Sequence, residues 1–431
     1  KGTPHMASPL ISRYTTIMQT HIEQNIRDLI KNNGRITFAE FMEIVLFYPN
    51  LGYYTSGINI TDLDYYTAPT THPSFGALLA FQLKQVWDLI GQPDQFHILE
   101  MGSGSGMLRQ TILEYSEKLN ASFRRSIEYI SIDYRSPSIL TSDKDTNFVR
   151  AESIPFKGLN GCILSNELID AFPVHRIVVN NGNIQEIFLE INGNGEIKEV
   201  LDAPSTSEIE ESLEPFIADL PSKFIGEVNL KQLSWVENVT SSLNKGLILT
   251  IDYGGLANQI YSEANALGTL RCYYRHEYVQ NPYIRLGSQD ITSLVNFTPI
   301  MKKGESLGLR IAGFSSQRDF LINLGFNNLM DNLRTRSLPQ RQSDSNRMAM
   351  LNLIKPGSMG DFRVLAQVKG MNDSIQLHGF NHQSPLKDKP SLNNPNMPET
   401  PLITRANLDF MEKRYPHTSW DWDHLWPWNN G

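Results

Sequence analysis

Apolar residues at Ile11, Met18, Ile22, Ile26 and Leu29-Ile30 recur every three or four positions, so residues 10–31 predict an amphipathic helix. A second helix is expected to begin after Thr37, whose hydroxyl can cap it while Glu40 returns the bond three residues on. It runs through Phe41–Leu46 and stops near Pro49. A loop rich in glycine, tyrosine and polar residues follows from Gly52 to Pro73, then a helix over 75–90. There the pattern changes. Short apolar runs at 97–100, 127–133, 147–150, 161–166 and 246–252 alternate with helical stretches and predict a parallel α/β sheet. A last pair is expected from Gly313-Phe314 onward and over 361–368. Residues 174–201 instead alternate with period two around Asn180-Asn181-Gly182-Asn183, a hairpin signal.

Composition narrows the class. The 431 residues exceed one average domain, and 40% hydrophobic residues can bury a sizeable core. No run of eighteen apolar residues suggests a membrane span. A net charge of −8 without a basic run argues against nucleic acid as a partner. Cys162 and Cys272 lie far apart with no metal-type spacing, so no metal site is expected; Cys162 reads as core. A reducing cytoplasm suits such a chain. Residues 1–8 look like an expression scar. A helical cap with its loop then spans 9–95, and a doubly wound core spans 96–372 with substrate-side insertions at about 174–240 and 255–312. Residues 373–431 turn rich in Asn, Pro, Ser and Lys and end in a tryptophan-rich segment, expected to dock on the body or on a partner.

The chemistry concentrates after the first core strand. His97–Met101 leads into Gly102-Ser103-Gly104-Ser105-Gly106, a turn whose glycines tolerate positive φ and close approach of a nucleotide. A dinucleotide turn needs a small residue where Met107 stands, which disfavours a nicotinamide oxidoreductase. S-adenosylmethionine suits it better: no pyrophosphate has to be held, and acids are wanted for its hydroxyls, ammonium and sulfonium. Glu100 supplies one acid, and Asp133, ending the second strand, supplies another where a ribose-binding carboxylate belongs. The fourth strand ends in Asn166-Glu167, expected to face the transfer site, with Asp170 and Pro173 in the loop beyond.

Several ordered motifs then carry a resemblance. They are Phe38-x-Glu40-Phe41-Met42, Leu46-Phe47-Tyr48-Pro49, Gly52-Tyr53-Tyr54, Thr67-Ala68-Pro69, Phe75-Gly76, the Gly102–Gly106 turn and Asn166-Glu167-Leu168-Ile169-Asp170-Ala171-Phe172-Pro173. Asp252-Tyr253-Gly254, Gly268-Thr269-Leu270-Arg271 and Asp290-Ile291-Thr292 complete the series. Over roughly residues 20–370 the chain resembles the MidA-like family, which includes mitochondrial protein-arginine methyltransferases that assist respiratory complex I assembly. The resemblance implies a class I (Rossmann-like) S-adenosylmethionine-dependent methyltransferase, with Tyr54, Thr67 and Pro69 closing over the cofactor.

Departures from the family pattern shape the expected acceptor. Leu63-Asp64-Tyr65 replaces a Gly-Asp-Phe segment, Thr70 stands where an acid follows the proline, and Asp133-Tyr134-Arg135 replaces Glu-x-Ser. A guanidinium is recognised best by paired carboxylates, so losing an acid argues for a less cationic acceptor. With the tail, these changes are similar to polyketide assembly-line methyltransferase domains. The expected reaction is C-methylation of an acyl group on an acyl carrier protein. Protein-arginine N-methylation is the alternative, and a non-catalytic assembly scaffold a third. His276 is the first candidate general base, with His72 and His175 as the others, and Asp170 of the substrate-side loop is a further candidate catalytic residue. Arg271, Arg275 and Arg285 would hold a carboxylate, a thioester carbonyl or a phosphopantetheine phosphate.

Overall fold

The apolar run ahead of the glycine turn forms strand β1 (Phe96–Met101), buried along nearly its whole length, as a strand covered on both faces must be. The computed structural model describes residues 9–56, 67–134, 147–274, 277–381, 397–404 and 407, with backbone only over 9–18. Six more strands join β1: β2 (Ile127–Asp133), β3 (Phe148–Arg150), β4 (Leu159–Asn166), β5 (Leu243–Asp252), β6 (Arg310–Ser316) and β7 (Arg363–Lys369). Their order in the sheet is β3-β2-β1-β4-β5-β7-β6. The first five run parallel, as expected, while β7 lies antiparallel to both β5 and β6. Winding proceeds outward from β1 through β2 to β3, then returns to β4 on the other side of β1. Open α/β sheets bind ligands beyond the carboxyl ends at such a reversal.

The described residues fall into two units. One draws on Tyr66–Leu168, Val236–Tyr253 and Met301–Gly431 and holds this sheet. Its core packs Phe75, Leu79, Leu83 and Val86 of the helix Ser74–Leu89 with Leu108 and Ile112 of the helix Met107–Leu119 and with Phe96, Ile98, Cys162 and Leu249 of the strands. Cys162 is the core residue its apolar strand predicts, and burial pushes its thiol far up, away from reactivity.

The other unit draws on Lys1–Tyr65, Ile169–Trp235 and Gly254–Ile300. The predicted capping box forms there: Thr37 Oγ1 accepts from Glu40 N at 3.1 Å, and Glu40 Oε2 accepts from Thr37 N at 2.8 Å. Helix Phe38–Phe47 follows and buries Phe38, Phe41, Val45 and Leu46. The predicted hairpin forms between strands His175–Asn180 and Asn183–Ile191. Asn181 and Gly182 take φ of 51° and 79°, the paired positive values that a type I′ turn requires. A separate small sheet pairs Arg271–Tyr274 with Glu277–Val279 and with Asp290–Thr292. The opening eight residues and the tryptophan-rich segment lie outside the described residues. No helix among the described residues is long and apolar enough to cross a membrane.

One close approach holds the centre of the sheet. Gly161 of β4 has φ 146°, and a Cβ there would lie 2.0 Å from the carbonyl oxygen of His97 on β1. Gly161→Ala is therefore expected to lower unfolding free energy by about 3 kcal/mol, through overpacking and backbone strain. Urea titration followed by circular dichroism measures it, and a loss below about 0.5 kcal/mol would mean that β1 and β4 tolerate wider spacing.

Candidate active site

At the carboxyl end of β1 the chain enters its glycine turn with Gly102, Gly104 and Gly106 at φ 73°, 50° and 82°. Gly102 N donates to Ile132 O of β2 at 2.9 Å, which ties the turn to the neighbouring strand. Gly104 N donates to Asp133 Oδ2 at 2.8 Å, so the second predicted acid meets the turn directly. Nothing lies within 4 Å of where a Cβ on Gly104 would project, so that side of the turn is open. Glu100 is 3% exposed and accepts from the Tyr129 phenol at 2.8 Å. Burial pushes its carboxyl up to about 8; the Tyr129 bond opposes this, the Asp133 charge adds to it and Arg109 lowers it. Burial also pushes the Tyr129 phenol far up, so it remains the donor. Ser103 Oγ and Asn166 Oδ1 are buried without a hydrogen-bond partner. Open space above a glycine turn, two acids at adjacent strand ends and unmatched polar atoms beside them fit S-adenosylmethionine, whose ribose, amino and carboxylate groups need such partners.

The end of β4 is built by neighbouring strands. Glu167 takes a left-handed φ of 50°, rare for a residue with a Cβ, while its N–H donates to Ile251 O of β5 at 2.9 Å. Its Oε1 accepts from Asn166 Nδ2 at 2.9 Å and from Ala68 N at 3.2 Å, bringing the Thr67–Pro69 segment to the strand end. Asp252, fully buried at the end of β5, accepts from Leu168 N at 3.2 Å and Tyr253 N at 2.9 Å. It positions the chain that leaves β4. Asp252 ends the apolar run 246–252, the same signal that marks Asp133 at the end of 127–133.

Two expectations need correction here. Thr70 is the third residue of the short helix Ala68–Thr71 that Thr67 caps, and its Oγ1 accepts from Thr67 N at 3.2 Å. An acid at that position has a capping task, which the hydroxyl performs as well. Its replacement therefore says nothing about the charge of the acceptor. His72 is fully buried with both ring nitrogens engaged: Nδ1 accepts from Ser74 N at 3.0 Å, and Nε2 meets Asn346 Oδ1 at 3.0 Å. Burial lowers it to about 4, so it stays neutral and structural and is no general base.

In the other unit Tyr54 donates to Asp290 Oδ1 at 2.8 Å. Burial raises the Tyr54 phenol well above its ordinary value, with further push from the charges of Asp290 and then Asp170. The Ile169–Ala171 turn carrying Asp170 is fixed by Ser293 N donating to Asp170 O at 3.0 Å. Asp290, buried, thus meets the half-buried Tyr54 directly, and the buried Asp170 acts on Tyr54 through its charge; Asp290 stands in the sequence only as part of Asp290-Ile291-Thr292. His175 Nδ1 meets buried Glu186 at 2.7 Å across the hairpin. Arg271 lies over the Tyr278 ring and Arg285 over Tyr274. His276 and Arg275 lie outside the described residues, as do Asp64, Tyr65 and Arg135. Among the described residues no cluster of three His, Cys, Asp or Glu is placed to hold a metal ion.

Comparison with known proteins agrees with this geometry. The chain is 23% identical over 407 residues to the mitochondrial protein arginine methyltransferase NDUFAF7 homolog of Drosophila melanogaster, covering 86% of this chain and 91% of that protein. It is 27% identical to the mitochondrial protein arginine methyltransferase NDUFAF7 of Bos taurus, covering 84% and 86%. A Burkholderia thailandensis COG1565 superfamily member crystallised with S-adenosyl-homocysteine superposes with a TM-score of 0.76 at 25% identity, covering 88% of this chain and 98% of that one. A model of S-adenosyl-L-methionine-dependent methyltransferases matches residues 78–315, more than half of the sequence. The chain belongs to that family, and it is a MidA-like, S-adenosylmethionine-dependent methyltransferase.

Proposed function

We propose that this enzyme methylates an arginine guanidinium nitrogen of a protein. What carries the reading is the likeness, over more than four-fifths of the chain, to proteins named protein arginine methyltransferases. Acyl-carrier C-methylation, the first expectation from sequence, finds no support among these relatives, and the Thr70 argument behind it falls away.

Two buried acids support the same chemistry. A guanidinium stays charged at neutral pH and is held best by carboxylates that accept its planar N–H groups. Asp170 and Asp290 are both buried, and the Tyr54 phenol keeps its proton and donates to Asp290. They would hold a guanidinium of the protein substrate. S-adenosylmethionine supplies the electrophilic methyl group when bound. Gly102, Gly104, Gly106 and Asp133 would hold its nucleoside part and Glu100 its ammonium, while Thr67, Pro69, Asn166 and Glu167 border it. Most of the rate would come from alignment and exclusion of water.

Two measurements test this. If Glu100 must ionise to hold an ammonium, S-adenosyl-homocysteine binding releases a proton below about pH 8, and that ionisation costs affinity there. The ratio of wild-type to Glu100→Gln affinity, in which titration of the ligand cancels, should then rise between about pH 6.5 and 8 and level off above; calorimetry giving a flat ratio would remove Glu100 from that role. Incubation with S-adenosylmethionine and arginine-bearing polypeptides should yield methyl-arginine by mass spectrometry. Asp290→Asn should cut kcat/KM by roughly a hundredfold, as loss of a charge-assisted contact does. Methylated acyl carriers with unmodified arginine would sink the proposal.

A further inference from the structure

Away from the cofactor turn, the unit holding the hairpin contains a cavity of about 1120 Å³ that the reaction as described leaves unused. That exceeds the roughly 300–1000 Å³ typical of a small-molecule site and suits a segment of polypeptide. Three carboxylates line it, Glu199, Glu227 and Glu263, against two guanidiniums, Arg176 and Arg271, a net of −1. Tyr273, Tyr278 and Tyr283 add aromatic wall.

Glu227 is the telling residue. It is 8% exposed, and its Oε2 accepts from Thr269 N at 2.7 Å and Thr269 Oγ1 at 2.8 Å. Its Oε1 is buried without a hydrogen-bond partner. Arg176 pairs with Glu227 in register across the sheet and the two charges interact, but no hydrogen bond joins them: Arg176 Nη1 bonds Glu199 and the Tyr283 phenol, and its Nε is buried without a partner. Gly268 lets the turn approach closely, since a Cβ there would lie 2.6 Å from Glu227 Oε1. A carboxyl oxygen left unmatched in a buried position is costly unless a donor arrives. The wall already receives one cation, Arg271, over the Tyr278 ring at 5.8 Å.

We propose that this cavity docks a basic segment of the protein substrate, with Glu227 Oε1 accepting from an arginine or lysine side chain other than the one methylated. The inference rests on the protein-arginine reading for its choice of substrate class, and on the cavity for everything else. The probe is the peptide acetyl-Gly-Arg-Gly-Arg-Gly-amide, titrated calorimetrically into the full chain with S-adenosyl-homocysteine present. Glu227→Gln, which can keep the Thr269 bonds, should weaken binding about tenfold or more. The citrulline peptide should bind both proteins equally and weakly. In turnover with the arginine peptide the variant should raise KM and leave kcat unchanged. Should Glu227→Gln fail to fold, Tyr278→Ala, at a side chain 53% exposed, removes cavity wall and should weaken the arginine peptide alone. Equal affinity of wild type and folded variants for the arginine peptide overturns the inference. Glu227-dependent binding without methyl-arginine would instead sustain the groove and overturn the reaction assignment.

Discussion

Strand β1 is paired in parallel on both sides, with β2 and with β4, and the arrangement at the strand ends follows from that constraint. A strand so enclosed can release its chain only at its carboxyl end, into the gap where winding reverses. The backbone must turn at once, which the positive φ of Gly102, Gly104 and Gly106 permits. The same pairing fixes which neighbours stand there. Ile132 and Asp133 of β2 secure one side of the turn, while Ser165 of β4 lies in register with Met101 on the other. β5, paired in turn with β4, sets Asn166 and Glu167 through Ile251 and Asp252. Displacing β4 from β1 would misplace all of them together.

Two kinds of buried acid arise in this fold, and their partners distinguish them. Asp252 and Glu186 accept backbone N–H groups and hold chain segments in place. Glu100 has a phenol for its partner and is pushed towards the neutral form. A carboxyl kept neutral until a cation reaches it suits a site whose ligand carries positive charge, because the desolvation cost is borne only when the ion pair forms.

Much of the fold was legible because it rests on local signals. The Thr37 box, the Asn181-Gly182 turn and the apolar runs that became β1–β5 each need only residues close in sequence. The turn, Glu100 and Asp133 were legible for the same reason, being strand ends. What escaped depends on long-range pairing. Asp290 joins Tyr54 from 236 residues away, and Asn346 joins His72 across 274. No spacing rule reaches that far. The antiparallel direction of β7 was equally hidden, since direction is set by where the chain re-enters the sheet.

Residue identity is meaningful only through the backbone position that it occupies. Thr70 read as a lost charge beside the acceptor suggested a neutral substrate, yet at the third position of a capped turn oxygen is what the backbone demands, and carboxylate and hydroxyl both supply it. His72 illustrates the converse: a residue type suited to catalysis is occupied by Ser74 and Asn346 and kept neutral by burial. Acceptor charge must instead be read from side chains without a structural debt. Glu227 stands between the two cases, since one of its oxygens holds the Thr269 turn and the other is left unmatched. A hydrogen-bond donor is what would complete it, and a charged one would bind most tightly.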